Sequence, residues 1–70
     1  MRKLKINEEE LKELIEDIIN DNFLGINIKE INDILKRNDI KISPQILRRN
    51  ILSLIKDKKV KMAGGRLKHG

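Results

Sequence analysis

The stretch Ser-Pro-Gln-Ile-Leu-Arg-Arg-Asn-Ile-Leu-Ser-Leu-Ile-Lys-Asp, residues 43–57, decides how this chain folds. Ser43 is a preferred N-cap residue, and Pro44 suits the first helical position because its missing N–H would have no partner there. At about 100° per residue, one side of the helix collects the apolar residues Ile46, Leu47, Ile51, Leu54 and Ile55. A helix from Pro44 to about Asp57 is therefore predicted, with one face turned to a core.

The opposite face of this helix carries the polar and basic residues Gln45, Arg49 and Lys56, and Arg48 flanks it. Asn50 lies within the apolar stripe and is predicted to be a hydrogen-bonded structural residue, because buried polar groups are normally satisfied. Leu52 stands at the edge of the outward face. It could meet a thymine methyl group, pack under a following hairpin or form a dimer contact, and packing is favoured.

A basic hairpin is predicted directly after the helix, over residues 60–68. Gly64 and Gly65 suit the two central positions of a type I′ turn, which both need a positive φ. That register places Met62 opposite Leu67 and on the same side as Val60. The other side collects the basic residues Lys61, Arg66 and Lys68.

The first half of the chain predicts two more amphipathic helices. Asn7 and Asn27 are each followed three residues later by a glutamate, which is the spacing of a capping box. The first helix has the apolar stripe Leu11, Leu14, Ile15, Ile18 and Ile19, and the second, from about Ile28 to Arg37, turns Ile28, Ile31, Ile34 and Leu35 inward. Before them, Met1 to Ile6 alternates as a short strand or a basic arm would.

Two connecting segments complete this layout. Residues 23–26 are predicted to cross between the first two helices as a short strand, with Phe23, the chain's sole aromatic residue, buried. Residues 38–42 form a connection longer than the turn of about three to four residues in a minimal helix-turn-helix, and Ile40 and Ile42 are predicted to fold back on the core. The fold class is mainly α, a small α+β domain spanning residues 1–70.

The charge of the chain is strongly polarised. Residues 1–35 contain five Lys/Arg and nine Asp/Glu, net −4, whereas residues 36–70 contain eleven and two, net +9. Such asymmetry favours a polyanion partner, most often nucleic acid, over an anionic membrane surface or a merely solubilising charge. With no cysteine, and no apolar run near the roughly 18 residues of a membrane span, a cytoplasmic protein is the simpler expectation.

A helix with a basic outer face followed at once by a short basic hairpin resembles the recognition helix and wing of winged helix-turn-helix domains. The resemblance covers about residues 8–69. Ser43 matches the cap of the recognition helix, Val60 matches the entry to the wing, and Leu47, Ile51 and Leu54 match core positions. Lys58 departs from the pattern, because the family usually turns with glycine there.

The resemblance implies that the third helix docks in the major groove of double-stranded DNA and that the wing touches the adjacent backbone or minor groove. Gln45 and Arg49 carry groups that can read adenine and guanine edges. Basic side chains can neutralise phosphates. The predicted DNA-binding residues are Ser43, Gln45, Arg48, Arg49, Lys56, Lys61, Arg66 and Lys68, and a transcriptional regulator or a small DNA-associated factor is the leading expectation.

Other functions stay open at this point. The basic face could instead bind an acidic protein, as in winged-helix adaptors, or structured RNA, and the two arginines could form salt bridges to glutamates of the first helix. Ser43 and Ser53 have no histidine placed as a base, and no catalytic set, cofactor, metal site or small-molecule substrate is predicted. Because a small module offers little binding area, a homodimer through the first helix or the N-terminal arm is attractive.

Overall fold

The structure is a computed structural model and describes residues 7–70, so the predicted strand or arm at residues 1–6 lies outside it. Three helices precede an antiparallel hairpin: α1 (Glu8–Asp21), α2 (Ile28–Arg37), α3 (Pro44–Lys56), β1 (Val60–Ala63) and β2 (Arg66–His69). This order confirms the predicted small α+β layout, in which a hairpin follows three helices like a wing. In the described part of the chain, no helix is long and apolar enough to cross a membrane.

The starts of the helices follow the predicted caps. The side chain of Asn7 accepts a hydrogen bond from the Glu10 amide at 2.8 Å, which is one of the two bonds of the predicted capping box. Asn27 and Glu30 form a complete capping box, with the Asn27 side chain accepting from the Glu30 amide at 2.8 Å and the Asn27 amide donating to the Glu30 carboxylate at 3.3 Å. These bonds satisfy amides that have no partner inside the helix.

The ends of α2 and α3 share one motif in which a non-glycine residue takes the left-handed conformation. After α3, Lys58 has φ 62°, and the amides of Lys58 and Lys59 donate to the carbonyls of Ile55 and Leu54 at 3.0 and 2.9 Å. That pair of bonds is a Schellman motif. Lys58 thus adopts the geometry for which the resembled family uses glycine.

The core lies between the three helices and the inner face of the hairpin. Its buried members are Leu11, Ile15, Ile18, Ile19, Ile26, Ile31, Leu35, Leu47, Ile51, Leu54, Val60 and Leu67. Ile40 and Ile42, in the long connection before α3, are half-buried and pack against this cluster. The prediction that they fold back on the core is confirmed, and the connection helps to hold α3 in place.

The hairpin has the predicted register. Met62 pairs with Leu67 and Ala63 with Arg66, and Gly64 and Gly65 take the positive φ angles of 60° and 77° that a type I′ turn requires. Ile26 adds a one-residue bridge on the other side of β2, where it and Leu67 exchange both backbone hydrogen bonds at 3.0 and 2.8 Å. The predicted strand at residues 23–26 is therefore reduced to this bridge.

The prediction that Phe23 is buried is wrong, because 77% of Phe23 and 73% of its neighbour Leu24 are exposed. Both residues occupy the middle of a turn that is closed by a hydrogen bond from the Gly25 amide to the Asn22 carbonyl at 2.8 Å. The central residues of a tight turn project from its tip. The chain reverses before either side chain can reach the core.

Candidate nucleic-acid interface

The inward face of α3 fixes which of its residues face solvent. Leu47, Ile51 and Leu54 are at most 1% exposed. Asn50 lies among them at 5% exposure, and its side-chain amide donates to the Ile46 carbonyl at 2.8 Å. The prediction of a hydrogen-bonded structural asparagine is confirmed, and the rotation of α3 about its axis is set by this stripe.

The outward face of α3 brings together several of the predicted DNA-binding residues. Gln45, Arg48 and Arg49 are exposed and line one shallow depression of about 260 Å³ together with Pro44 and Leu52. Lys56, also exposed, is the last residue of α3 and lies one turn beyond Leu52. The depression is apolar at Pro44 and Leu52 and cationic at the two arginines.

The packing favoured for Leu52 is wrong, since 56% of this residue is exposed. Leu52 lies on the opposite side of α3 from the buried stripe, two residues before Leu54, which is fully buried. Apolar residues occupy most of the circumference of α3, so the sequence alone does not decide whether Leu52 is buried. In the fold, α3 is oriented so that Leu52 faces solvent.

Ser43 caps α3 as predicted. Its hydroxyl oxygen accepts from the Ile46 amide at 3.2 Å, and the residue is exposed. A hydroxyl that accepts one bond still has its own hydrogen to donate. Ser43 can therefore cap the helix and donate to an anion at the same end of α3, where the helix dipole also favours negative charge.

Arg49 makes an ion pair with α1, one of the alternatives left open by the sequence. Its Nη2 lies 3.3 Å from Glu8 Oε1, with 66% and 73% of the two side chains exposed. Exposed pairs of this kind are worth about 0–1 kcal/mol. The guanidinium has five N–H donors, so this contact leaves Arg49 able to bind a further acceptor.

The hairpin presents the second group of predicted residues. Lys61 on β1 pairs with Lys68 on β2, and Arg66 lies on the same side of the sheet as both because side chains alternate along a strand. Lys61 and Arg66 are exposed, and Lys68 is half-buried. The structure thus divides the predicted residues into a group on α3 and a group on the outer side of the hairpin.

Lys58 and Lys59 connect these two groups and were missing from the predicted site. Both are exposed in the turn between α3 and β1. Their signal was present in the sequence as the basic run from Lys56 to Lys61, but the turn geometry was needed to show that they continue the cationic surface from the helix to the hairpin.

An ion pair holds α1 to the end of α3. Lys12 Nζ lies 2.9 Å from Asp57 Oδ2, and Asp57 is the C-cap of α3. The hydrogen bond and charge of Lys12 lower the pKa of the Asp57 carboxyl below its usual value of 3.8, with Lys59 and Lys56 adding smaller effects. Because the pKa of this carboxyl is lower in the folded state, the contact stabilises the fold at pH values above 3.8. This stabilisation is lost as the pH falls through the folded-state pKa.

Within residues 7–70, no cluster of His, Cys, Asp or Glu is arranged to hold a metal ion. A comparison of the chain with protein-family models, curated proteins and solved structures finds no match. What this surface can bind therefore follows from its own geometry and charge.

Proposed function

We propose that this protein binds double-stranded DNA, with α3 as the recognition helix and the hairpin as a basic wing, and that it acts as a transcriptional regulator or a small DNA-associated factor without enzymatic activity. The observation that carries the proposal is the exposed face of α3, where Gln45, Arg48 and Arg49 border one depression. The groove of B-DNA that admits an α-helix is the major groove. DNA as the ligand agrees with the predicted cytoplasmic location.

The outward face of α3 has the chemistry of a base-reading surface. An arginine can donate two hydrogen bonds to guanine, and a glutamine amide can pair with adenine. Gln45 and Arg49 are four residues apart and hence on the same side of the helix. Arg48, beside them, and Lys56, at the far end of α3, would contact phosphates along the groove.

The hairpin and the preceding turn extend the cationic surface beyond one helix. Lys58, Lys59, Lys61 and Arg66 are all exposed, and phosphate contacts supply most of the non-specific affinity for DNA. Most acidic residues of the chain lie on α1, and of these Glu8 reaches the α3 face, where it pairs with Arg49. A duplex is favoured over single strands because stacking platforms need several aromatic side chains and the chain has one.

Leu52 gives this surface a further property. It is the exposed large apolar residue of the α3 face, in a depression bordered by two arginines. In the major groove, the C5-methyl group of thymine is the partner of apolar side chains. We assign Leu52 to a thymine contact, which would give the protein a preference for a thymine-containing step next to the bases read by Gln45 and Arg49.

The test is the charge reversal Arg48→Glu/Arg49→Glu, measured by fluorescence anisotropy on a mixed-sequence duplex. We expect affinity to fall by at least about 100-fold, since two cations are replaced by anions near phosphates. The free energy of unfolding should fall by no more than about 1 kcal/mol, because both residues are exposed and the lost Arg49–Glu8 pair is an exposed one. The matched control is Lys36→Glu/Arg37→Glu, which makes the same charge change on the exposed end of α2.

Three results would count against the proposal. If the α3 variant binds the duplex as well as the parent does, α3 is not the recognition helix. If both double variants lose the same affinity, net charge and not the α3 face determines binding. A parent protein that binds duplex RNA more tightly than duplex DNA would assign the same surface to structured RNA.

A further inference from the structure

The turn between α1 and α2 presents two large apolar side chains on a well-anchored backbone. Phe23 and Leu24 are more than 70% exposed. On one side, the turn is anchored by the Asn22 side chain, which donates to the Ile18 carbonyl at 2.7 Å. On the other side, Ile26 is bonded to β2 in both directions. The pair, here called the apolar turn (Phe23 and Leu24), is therefore held in place for contact with another surface.

An acidic flank lies on the α1 side of the apolar turn. Asp17 and Asp21 are four residues apart on one side of the helix and are exposed, and the last turn of α1 has no basic residue. Negative charge at a helix C-terminus is unfavourable, because the unpaired carbonyls there already carry partial negative charge. Within one molecule this flank is destabilising, and a cation brought to it from outside would relieve the repulsion.

A basic flank lies on the hairpin side. Gly25 follows the apolar turn, and a Cβ placed on Gly25 would stand 3.0 and 3.1 Å from the Cβ and Cδ atoms of Arg66 and 3.4 Å from Cε of Lys68. The aliphatic stems of both residues thus cover the backbone next to the turn. Their charged ends extend the surface of the apolar turn with positive charge.

We propose that this surface binds a second copy of the chain, in a two-fold symmetric dimer in which the two apolar turns pack together. A surface with an apolar centre, an acidic flank and a basic flank is complementary to itself. A two-fold axis through the apolar centre brings the acidic flank of each copy against the basic flank of the other. Asp21 of each copy then faces Lys68 of the other. An anionic membrane fits this surface less well, since Asp17 and Asp21 would be repelled by it.

The size of the surface predicts the strength of the dimer. Two turns and their flanks belong to the low end of protein interfaces, under about 1,200 Å² in total, where association is transient. A dissociation constant on the order of 0.1 mM is expected for such a contact. The proposal does not depend on DNA binding. In such a dimer Arg66 and Lys68 serve the contact between the two copies, and α3 with the exposed Lys58, Lys59 and Lys61 is left for a duplex.

The first test measures self-association by sedimentation equilibrium, at low salt and without DNA. The parent is expected to approach twice the monomer mass as its concentration rises. Phe23→Ser/Leu24→Ser is expected to weaken association by at least about tenfold, because central apolar anchors dominate small interfaces. The matched control is Met62→Ser, which removes an apolar side chain that is 52% exposed on the hairpin and should leave association unchanged.

The second test exchanges the proposed ion pair. Asp21→Lys and Lys68→Asp should each weaken association, and the combined Asp21→Lys/Lys68→Asp variant should restore it. Asp21→Lys should at the same time leave the melting temperature of the monomer unchanged or raised, since a cation suits the helix C-terminus. Glu13→Lys, the same charge change at an exposed site earlier on α1, serves as the control and should associate as the parent does.

Three results would overturn the proposal. One is a parent that stays monomeric up to about 1 mM, well above the expected dissociation constant. If that monomer then co-sediments with phosphatidylserine vesicles through Phe23 and Leu24, the turn is a membrane contact, and if it does not, a different protein is its occupant. The others are equal weakening by Met62→Ser and by the change in the apolar turn, and failure of the exchanged pair to restore association.

Discussion

Leu52 and Leu54 are the same residue type, two positions apart on α3, and the fold gives them opposite environments. Leu54 is fully buried, whereas 56% of Leu52 is exposed. The buried residue belongs to the stripe that attaches α3 to the rest of the domain. The exposed one belongs to the face that we propose for DNA. Residue type therefore does not tell which leucine of α3 stabilises the fold and which is available for binding. Position on the helix does.

The largest effect in this comparison is expected on stability. Leu54→Ala should lower the free energy of unfolding by about 2–5 kcal/mol, because it removes buried methyl groups and leaves a cavity. A domain of this size has little stability in reserve, so the variant should be largely unfolded near room temperature. Urea denaturation followed by circular dichroism measures the change.

Leu52→Ala is the matched control for that experiment. It should change the free energy of unfolding by less than about 0.5 kcal/mol, as surface substitutions usually do. Equal losses for the two leucines would mean that Leu52 is buried in solution, and the thymine contact would then have no physical basis.

The next effect concerns recognition. On the duplex site preferred by the parent, Leu52→Ala should lower affinity about fivefold, corresponding to about 1 kcal/mol for an apolar contact to a thymine methyl. Replacing each thymine of the site in turn by uracil should reproduce that loss at one position for the parent and have no further effect at this position for the variant. If the losses of affinity from Leu52→Ala and from uracil are additive at every thymine position, Leu52 does not contact a thymine methyl group.

Much of the architecture was predictable from local sequence. The N-caps at Asn7, Asn27 and Ser43 and the glycine pair at residues 64–65 specify the helix starts and the hairpin register through short-range chemistry. The inward stripe of α3, with Asn50 in it, follows from helical periodicity. In each case the determining residues lie within a few positions of one another, so the sequence of this chain is enough to predict the feature.

The positions that could not be predicted depend on where elements end up in three dimensions. Phe23 was expected to be buried, but the bridge between Ile26 and β2 draws the chain back and leaves Phe23 at the tip of a turn. The exposure of Leu52 depends on how α3 is rotated about its axis in the fold. The conformation of Lys58 was also not predictable from its residue type, because the fold imposes on this lysine the left-handed geometry that glycine adopts more easily.

The smallest effect follows from that imposed geometry. Lys58→Gly should raise the free energy of unfolding by about 0.5–1 kcal/mol, because the left-handed conformation costs a non-glycine residue about 1–2 kcal/mol and glycine adds some entropy to the unfolded chain. Asp39, with φ 60° after α2, offers the same test in a second place. A loss of stability in both variants would contradict the geometry of these helix ends.

The central claim is that the face of α3 and the hairpin form one surface for duplex DNA, and its most direct test is a titration of the parent protein with duplex DNA at several salt concentrations. If about five phosphates are contacted, the logarithm of affinity should fall with the logarithm of salt with a slope of roughly −4 to −5. Single-stranded DNA should bind more weakly. Absence of duplex binding at low salt, or binding that does not change with salt, would contradict the account and direct the search to an acidic protein partner.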